Sequence, residues 1–180
     1  MVLGDSLTAG YGLPQGEAFP VKLEAALRAR GVDVTVLNSG VSGDTTAGGL
    51  ARLDWALGDR PTHAIVELGA NDGLRGVDPA VTRKNLGAIL GRLKAAGIPT
   101  LLAGMYAPPN WGKDYAEAFA KLYPDLAREH AVALYPFFLD GVAANPSLNQ
   151  ADGIHPNEKG VAAIVERIVP QVVRLLAEKE

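Results

Sequence analysis

The chain alternates between short apolar runs and longer amphipathic segments, and this alternation restricts its fold more than any other feature. The apolar runs predict five strands, at residues 1–3, 32–38, 63–69, 99–105 and 132–138. The middle runs are almost continuously apolar, which is typical of parallel strands that are covered on both faces. The pattern therefore predicts a three-layer α/β/α domain with a parallel sheet.

The segments between the strands carry apolar residues at helical spacing. Asp78 followed by Pro79 predicts a helix start, with an N-cap and a first-turn proline. Pro124 and Pro170 predict a bend or break within the last two helical segments. The four apolar stripes are Phe19/Leu23/Ala26/Leu27, Leu86/Ile89/Leu90/Leu93, Tyr115/Phe119/Leu122/Leu126 and Val161/Ile164/Val165/Ile168/Val172.

Composition excludes several classes of protein. With 180 residues, of which 48% are hydrophobic, we expect one globular domain over residues 1–180. The net charge of -3 and the lack of a basic run argue against a nucleic-acid partner. The chain has no cysteine, so disulfides, thiolate zinc sites and cysteine nucleophiles are excluded. No apolar run is long enough to predict insertion into a membrane.

Polar, glycine-bearing segments follow four of the five predicted strands. They are GDS (4–6), NSGVSGDT (38–45), GAND (69–72) and DGIHP (152–156). Ligands of open parallel sheets bind where loops leave the carboxyl ends of the strands. We therefore expect these four segments to converge at one edge of the sheet and to form the functional site.

Ser6 is a candidate nucleophile, because the same segments supply a base and an acid. A serine that attacks an acyl carbon needs a histidine base and a group that orients it. His63 precedes a strand, on the wrong side of the sheet, and His130 ends a helix, so only His155 is placed to meet Ser6. Asp152 lies three residues before His155, a spacing at which its carboxylate can reach the imidazole Nδ1–H.

Three groups are candidate donors to an oxyanion. They are the backbone N–H of Ser6, the backbone N–H of Gly43, and the side-chain amide of Asn71, which donates without titrating. Three other acids lie next to site residues, and we expect them to hold their loops through hydrogen bonds to backbone N–H groups. These acids are Asp5, Asp44 and Asp72.

The four segments, in their order and spacing, resemble the four sequence blocks of the GDSL, or SGNH, hydrolase family. The stretches NSGVSGDTTAGGLARL, VELGANDGLRG and DGIHPN are similar to its bacterial thioesterase, lysophospholipase and arylesterase branch. The resemblance implies that Ser6 is the nucleophile, that Gly43 and Asn71 are oxyanion donors, and that Asp152 and His155 complete a catalytic triad. It covers nearly the whole chain.

The resemblance also implies a flavodoxin-like sheet with strand order 2-1-3-4-5 and no metal or organic cofactor. One departure from the branch is Ala70, where a glycine is common; the added methyl group should leave the Asn71 amide in place. A leader trimmed from the chain would imply a periplasmic or secreted protein, and otherwise a cytoplasmic one is expected.

The function implied is a serine esterase that cleaves small-molecule carboxylic esters with aryl or short- to medium-chain acyl groups through an acyl-enzyme. Thioesters and lysophospholipids are further candidate substrates. Three alternatives stay open: a carbohydrate acetyl esterase, an acyltransferase, and a catalytically silent binding domain. The oligomeric state is left open as well.

Two further segments are candidates for binding substrate. The proline- and aromatic-rich segment 105–115 predicts an apolar wall for an acyl or aryl group, formed by Met105, Tyr106 and Trp111. Segment 72–78, which contains two glycines, is a candidate flap over the cleft.

Overall fold

The computed structural model describes residues 1–177, and its strands form a five-stranded parallel sheet in the order β2-β1-β3-β4-β5. This architecture confirms the α/β fold and the strand order expected from the sequence. The strands are β1 (Val2–Gly4), β2 (Asn38–Gly40), β3 (Ala64–Glu67), β4 (Thr100–Ala103) and β5 (Ala133–Tyr135).

Helices connect the strands and cover the sheet in two groups. Helix α2 packs on α8, whereas α6 packs on α3 and α7. From β1 the chain moves to β2 at one edge of the sheet, and from β3 it moves to β4 and β5 toward the other edge. Because crossovers between parallel strands are right-handed, connections in opposite directions place the two groups of helices on opposite faces. The helices are α1 (Ser6–Ala9), α2 (Phe19–Arg28), α3 (Thr46–Ala51), α4 (Leu53–Leu57), α5 (Ala70–Leu74), α6 (Pro79–Ala95), α7 (Lys113–His130) and α8 (Glu158–Ala177), with a 3-10 turn at Pro109–Trp111.

The second strand is shorter than the sequence predicts. Its apolar run extends over residues 32–38, but only Asn38–Gly40 form a ladder, in register with Val2–Gly4. Residues 33–37 lie outside the ladder, although the Leu37 carbonyl accepts from the Val2 N–H at 2.9 Å. Their valines are partly buried against the core, which explains why the run is apolar although it is outside the ladder.

The two internal prolines do not break their helices. Pro124 lies inside α7 and Pro170 inside α8, and both helices continue for at least one further turn. Both prolines are exposed, so water can solvate the carbonyl group that each leaves without an intrahelical donor. The predicted breaks are therefore wrong, whereas the predicted apolar stripes of these helices are largely buried.

The core that supports the site consists of strand residues and the helix stripes. Leu86, Ile89, Leu90 and Leu93 of α6 are fully buried, and the Asp78 side chain caps this helix by accepting from the Ala80 N–H. In the described part of the chain, none of the helices is both long and apolar enough to span a bilayer.

The topology creates a switch point between β1 and β3, because the connections from these neighbouring strands run to opposite sides. Ser6 lies two residues beyond the end of β1, and Asn71 lies four residues beyond the end of β3. Loops at the carboxyl ends of such strands flank a crevice. The fold thus positions both side chains at one end of the sheet.

Candidate active site

Ser6 opens a one-turn helix immediately after the first strand. The Asp5 side chain caps α1 by accepting from the Leu7 N–H at 3.0 Å, and Gly10 ends it in the left-handed conformation with φ of 85°. The N–H of a first helical residue has no intrahelical acceptor. Ser6 therefore presents its hydroxyl to the cleft and has a backbone donor that the helix does not use.

His155 lies within hydrogen-bond distance of both Ser6 and Asp152. Its Nε2 is 3.0 Å from Ser6 Oγ, and its Nδ1 is 2.7 Å from Asp152 Oδ2. The other carboxylate oxygen of Asp152 accepts the N–H groups of Ile154 and His155, at 2.9 and 3.0 Å. The tight turn at residues 152–155 thus fixes the carboxylate, and the carboxylate fixes the imidazole.

The charge on Asp152 is well stabilised. The backbone N–H of His155, then that of Ile154, and then the imidazole lower the pKa of Asp152 to about 2. A carboxylate facing Nδ1 favours the tautomer in which Nδ1 carries the proton. The lone pair of Nε2 then faces the Ser6 hydroxyl, as removal of its proton requires.

Asn71 joins the site from the beginning of α5. Its Nδ2 donates to the Asp44 carbonyl at 2.9 Å and to Asp5 Oδ2 at 3.2 Å. The amide also lines the cleft beside Ser6. Its orientation is thus set by the loop after β2 and by the residue that precedes the nucleophile.

Gly43 lies in the loop after β2 with φ of +83°, a conformation that favours glycine. Its carbonyl accepts from Arg75 Nη2 at 3.0 Å. Among residues 1–177, no acceptor contacts its N–H, which leaves that donor available. Gly43 does not contribute to the lining of the cleft itself; its neighbour Asp44 is the residue that bonds Asn71.

The three neighbouring acids have structural contacts rather than a contact with His155 Nδ1. Asp5 accepts a backbone N–H as expected, and Asp72 accepts the Thr46 N–H at 2.8 Å together with two threonine hydroxyls. Asp44 differs from the expectation, because its carboxylate pairs with Arg52 Nε instead of a backbone N–H. The same Arg52 donates to the Gly4 carbonyl at 2.9 Å, and so ties this loop to β1.

The other two histidines lie far from Ser6 in the fold. His63 precedes β3 at the amino end of the sheet, and His130 ends α7. A cavity of about 410 Å³ opens beside His63, but it is lined by the amino ends of the strands and contains none of the four loops described above. In the described residues, no cluster of three or more His, Asp or Glu side chains could hold a metal ion.

Tyr11 is a site residue that the sequence reasoning did not identify. Its ring centroid lies 4.6 Å from that of His155, at an interplanar angle of 39°. Gln150 Nε2 donates to the Tyr11 carbonyl at 2.8 Å and to the Pro156 carbonyl at 3.0 Å. Tyr11 thus covers one face of the imidazole. In the sequence, this role of Tyr11 is indicated only by its position in GYG, directly after the turn that carries Ser6.

An apolar cleft of about 290 Å³ opens at Ser6 and His155. Met105 is buried in its wall, and Tyr106 lies at the rim with half of its surface exposed. Trp111 is outside the cleft, contrary to the sequence expectation, because its indole N–H donates to the Gly73 carbonyl and its ring packs beside Gly76. The apolar lining residues are Leu7, Ala70, Leu74, Met105, Tyr106, Ala107, Pro108, Phe137, Leu139, Ala143, Ala144 and Ile154.

Segment 72–78 borders the cleft through Leu74. Three side chains hold it by hydrogen bonds: Arg75 donates to Gly43, Trp111 to Gly73, and the Tyr115 hydroxyl to the Val77 carbonyl at 2.8 Å. The segment is therefore anchored in this structure, and Trp111 supports it from outside the cleft.

Comparisons with known proteins agree on one family. The sequence model of the GDSL-like lipase/acylhydrolase family matches residues 2–163. The arylesterase of Vibrio mimicus is 42% identical over 98% of this chain and 88% of its own length. Thioesterase 1/protease 1/lysophospholipase L1 of Escherichia coli K12 is 41% identical over 98% of this chain and 84% of its own. The crystal structure of the esterase EstA from Pseudoalteromonas sp., inhibited by monoethylphosphonate, superposes with a TM-score of 0.92 at 35% identity, covering 98% of this chain and 97% of EstA.

Proposed function

Because the chain belongs to the GDSL-like lipase/acylhydrolase family, we propose that it is a serine hydrolase that cleaves carboxylic esters through an acyl-enzyme on Ser6. The observation that carries the proposal is the continuous contact from Asp152 through His155 to Ser6 Oγ, at 2.7 and 3.0 Å. The contact opens into an apolar cleft.

In the first half of the reaction, Ser6 Oγ attacks the ester carbonyl carbon while His155 Nε2 takes the hydroxyl proton. The carbon–oxygen bond to the leaving alcohol then breaks, and the imidazolium returns the proton to that alcohol. Asp152 stabilises the positive charge that His155 carries between these two steps. In the second half, water attacks the acyl-enzyme with His155 again as base, which releases the acid and restores Ser6.

The oxyanion of each tetrahedral intermediate requires donors that are fixed before the reaction. The N–H groups of Ser6 and Gly43 and the Asn71 amide fill this role in the proposal. The Asn71 amide donates to the Asp44 carbonyl and to Asp5 Oδ2. Its longer bond, at 3.2 Å to Asp5, is the one we expect to weaken when the oxyanion forms.

The dimensions and lining of the cleft favour aryl and short- to medium-chain acyl esters. Its volume of about 290 Å³ is near the lower end of the usual range for small-molecule sites. The apolar lining argues against a carbohydrate acetyl ester. Thioesters and lysophospholipids are further candidate substrates of the same acyl-enzyme chemistry, and the name of the Escherichia coli relative includes both activities.

The proposed function is tested with p-nitrophenyl esters from acetate to long acyl chains, with Ser6→Ala as the control. We expect turnover that is highest for short or medium chains, and a loss of several orders of magnitude in kcat for Ser6→Ala. A Ser6→Ala protein that kept most of the activity would refute the mechanism. Added alcohol in the same assay distinguishes hydrolysis from acyl transfer through the ratio of acid to new ester.

A further inference from the structure

Glu67 is a fully buried acid on β3, directly beneath the turn that carries Ser6. Its Oε2 accepts from the Thr8 hydroxyl at 2.8 Å, and within residues 1–177 its Oε1 has no hydrogen-bond partner. The side chain is 1% exposed. A buried acid with an oxygen that lacks a partner lowers stability, and the proposed reaction does not use this group directly.

Gly4 makes this contact possible. Gly4 pairs with Glu67 in the sheet, and a Cβ at Gly4 would lie 2.0 Å from Thr8 Oγ1 and 2.7 Å from Glu67 Oε2. The strand thus lacks a side chain at the point where the hydroxyl and the carboxyl group meet. Thr8 belongs to α1, whose first residue is Ser6. The hydrogen bond from Thr8 to Glu67 therefore fixes the nucleophile helix to the core.

Asp5 forms a second connection from the core to the site. It is also fully buried, and its two oxygens accept the Leu7 N–H and the Asn71 amide. Five charged or titratable groups surround it from the neighbouring elements: Glu67 on β3, Asp44 and Arg52 around α3, Tyr123 on α7, and His155 in the loop before α8. Asp5 thus contacts the nucleophile helix on one side and a proposed oxyanion donor on the other.

The surroundings of Glu67 favour its uncharged form. Within the described part of the chain, no lysine or arginine forms an ion pair with it. Burial, followed by the charge on Asp5, raises the pKa of Glu67 well above its ordinary value. Burial also raises the pKa of Asp5, to about 6. The pKa of both acids is thus raised, and the hydrogen bond from the Asn71 amide favours the charge on Asp5.

We propose that Glu67 is a positioning residue for the reaction, which holds the Gly4–Thr8 turn so that Ser6 Oγ stays in line with His155. This inference rests on the proposed ester hydrolysis. Glu67 does not contact the substrate; it acts through Thr8. The group required is a hydrogen-bond acceptor of the size of a carboxyl group.

The test compares Glu67→Gln with Glu67→Leu. Glutamine keeps an uncharged acceptor for the Thr8 hydroxyl, whereas leucine fills the space without one. With p-nitrophenyl butyrate, we expect Glu67→Leu to lower kcat about 10- to 100-fold with little change in KM, since small displacements of a nucleophile have effects of this order. We expect Glu67→Gln to restore kcat to within about threefold of the original protein.

Thr8→Val provides an independent measurement. It replaces the hydroxyl with a methyl group, so it should reproduce the loss in kcat of Glu67→Leu. Adding it to Glu67→Leu should cause little further loss, because both changes break the same hydrogen bond. The rate at which an aryl phosphonate labels Ser6 should fall in parallel, since that reaction needs the same alignment.

Specific results would overturn the inference. The inference would be wrong if Glu67→Leu or Thr8→Val folded and kept the original kcat. It would also be wrong if the kcat of Glu67→Gln fell as far as that of Glu67→Leu. If Glu67→Leu does not fold, the kcat values of Glu67→Gln and Thr8→Val decide. An unmodified protein that neither hydrolyses the ester nor reacts at Ser6 would contradict the proposed function and this inference together. An active protein with insensitive variants would contradict the inference alone.

Discussion

Asp152 binds His155 through both its backbone and its ring: one carboxylate oxygen accepts the His155 N–H and the other contacts Nδ1 at 2.7 Å. A single acid thus sets the turn and the orientation of the base. This double contact explains why the two residues are separated by only two positions. A shift in one would displace the other, so the geometry of the base depends on the local fold of residues 152–155.

The first prediction concerns Asp152→Asn. An amide can retain the turn, but it cannot stabilise the imidazolium, so we expect kcat to fall about 10²- to 10⁴-fold. The measurement is kcat with p-nitrophenyl butyrate, with circular dichroism to show that the variant folds. A loss of less than about threefold would show that His155 does not need this carboxylate.

The lowered pKa of Asp152 predicts how the stability and activity of the protein depend on pH. Since the pKa is lowered to about 2 from 3.8, the carboxylate is charged throughout the range above pH 4. Its contribution to stability is present above the unfolded pKa and is lost as the pH falls through about 2. Loss of activity between pH 4 and 7 must therefore arise from other groups, and the pH profile of kcat/KM should show no step due to Asp152 in that range.

The second prediction concerns Asn71→Ala. Removing one oxyanion donor should lower kcat by about 10²- to 10³-fold while KM changes little, because the bond forms mainly in the transition state. The control is Asn110→Ala, an exposed position outside the cleft, which should retain full activity. Equal kcat values for the two variants would remove Asn71 from the oxyanion site.

The sequence predicts the sheet and the grouping of Ser6, Asp152 and His155 because both depend on strong local signals. Continuous apolar runs identify parallel strands, and the topology of such sheets brings the ends of the strands together. Long-range contacts between single residues have no such signal. Glu67 is one acid in the apolar run HAIVELG, and its contact with Thr8 becomes evident only when β1 and β3 pair.

Glycines and prolines also have structural roles that the sequence pattern alone does not reveal. Gly10 has φ of 85° and is needed for the backbone to leave α1, whereas Gly4 is part of a regular strand and is needed for space. The sequence GDSLTAG does not distinguish these two roles. Pro124 and Pro170 were expected to interrupt helices, but exposure of the affected carbonyls and burial of the flanking stripes outweigh the loss of one hydrogen bond.

The third prediction follows from the role of Gly4. Gly4→Ala should destabilise the protein by about 1–3 kcal/mol, because the new methyl group would overlap Thr8 and Glu67. Gly91→Ala is the matched control, since it lies inside α6 with its nearest neighbour, His130, at 3.8 Å. It should stabilise the protein by about 0.5–1 kcal/mol. Urea denaturation measures both; a Gly4→Ala protein as stable as the original would mean that Thr8 and Glu67 can move apart freely.

The last prediction concerns the stability of Glu67→Gln as a function of pH. A carboxyl group whose pKa is raised by folding keeps its proton in the folded state after the unfolded chain has lost it, so stability falls as the pH rises above the unfolded pKa, near 4.5. Glutamine has no proton to lose. The free energy of unfolding of Glu67→Gln, relative to the original protein, should therefore increase as the pH rises above about 4.5.

Asp5 is present in both proteins and largely cancels in this comparison. In each protein, the raised pKa of Asp5, about 6, should make the free energy of unfolding fall as the pH rises from about 4 to 6. The expected decrease is on the order of 3 kcal/mol. Urea denaturation at unit steps of pH provides the measurement, and Glu166→Gln, at an exposed position of α8, controls for the chemistry of the substitution. A difference between Glu67→Gln and the original protein that stayed constant with pH, or decreased, would show that Glu67 is already ionised in the folded protein.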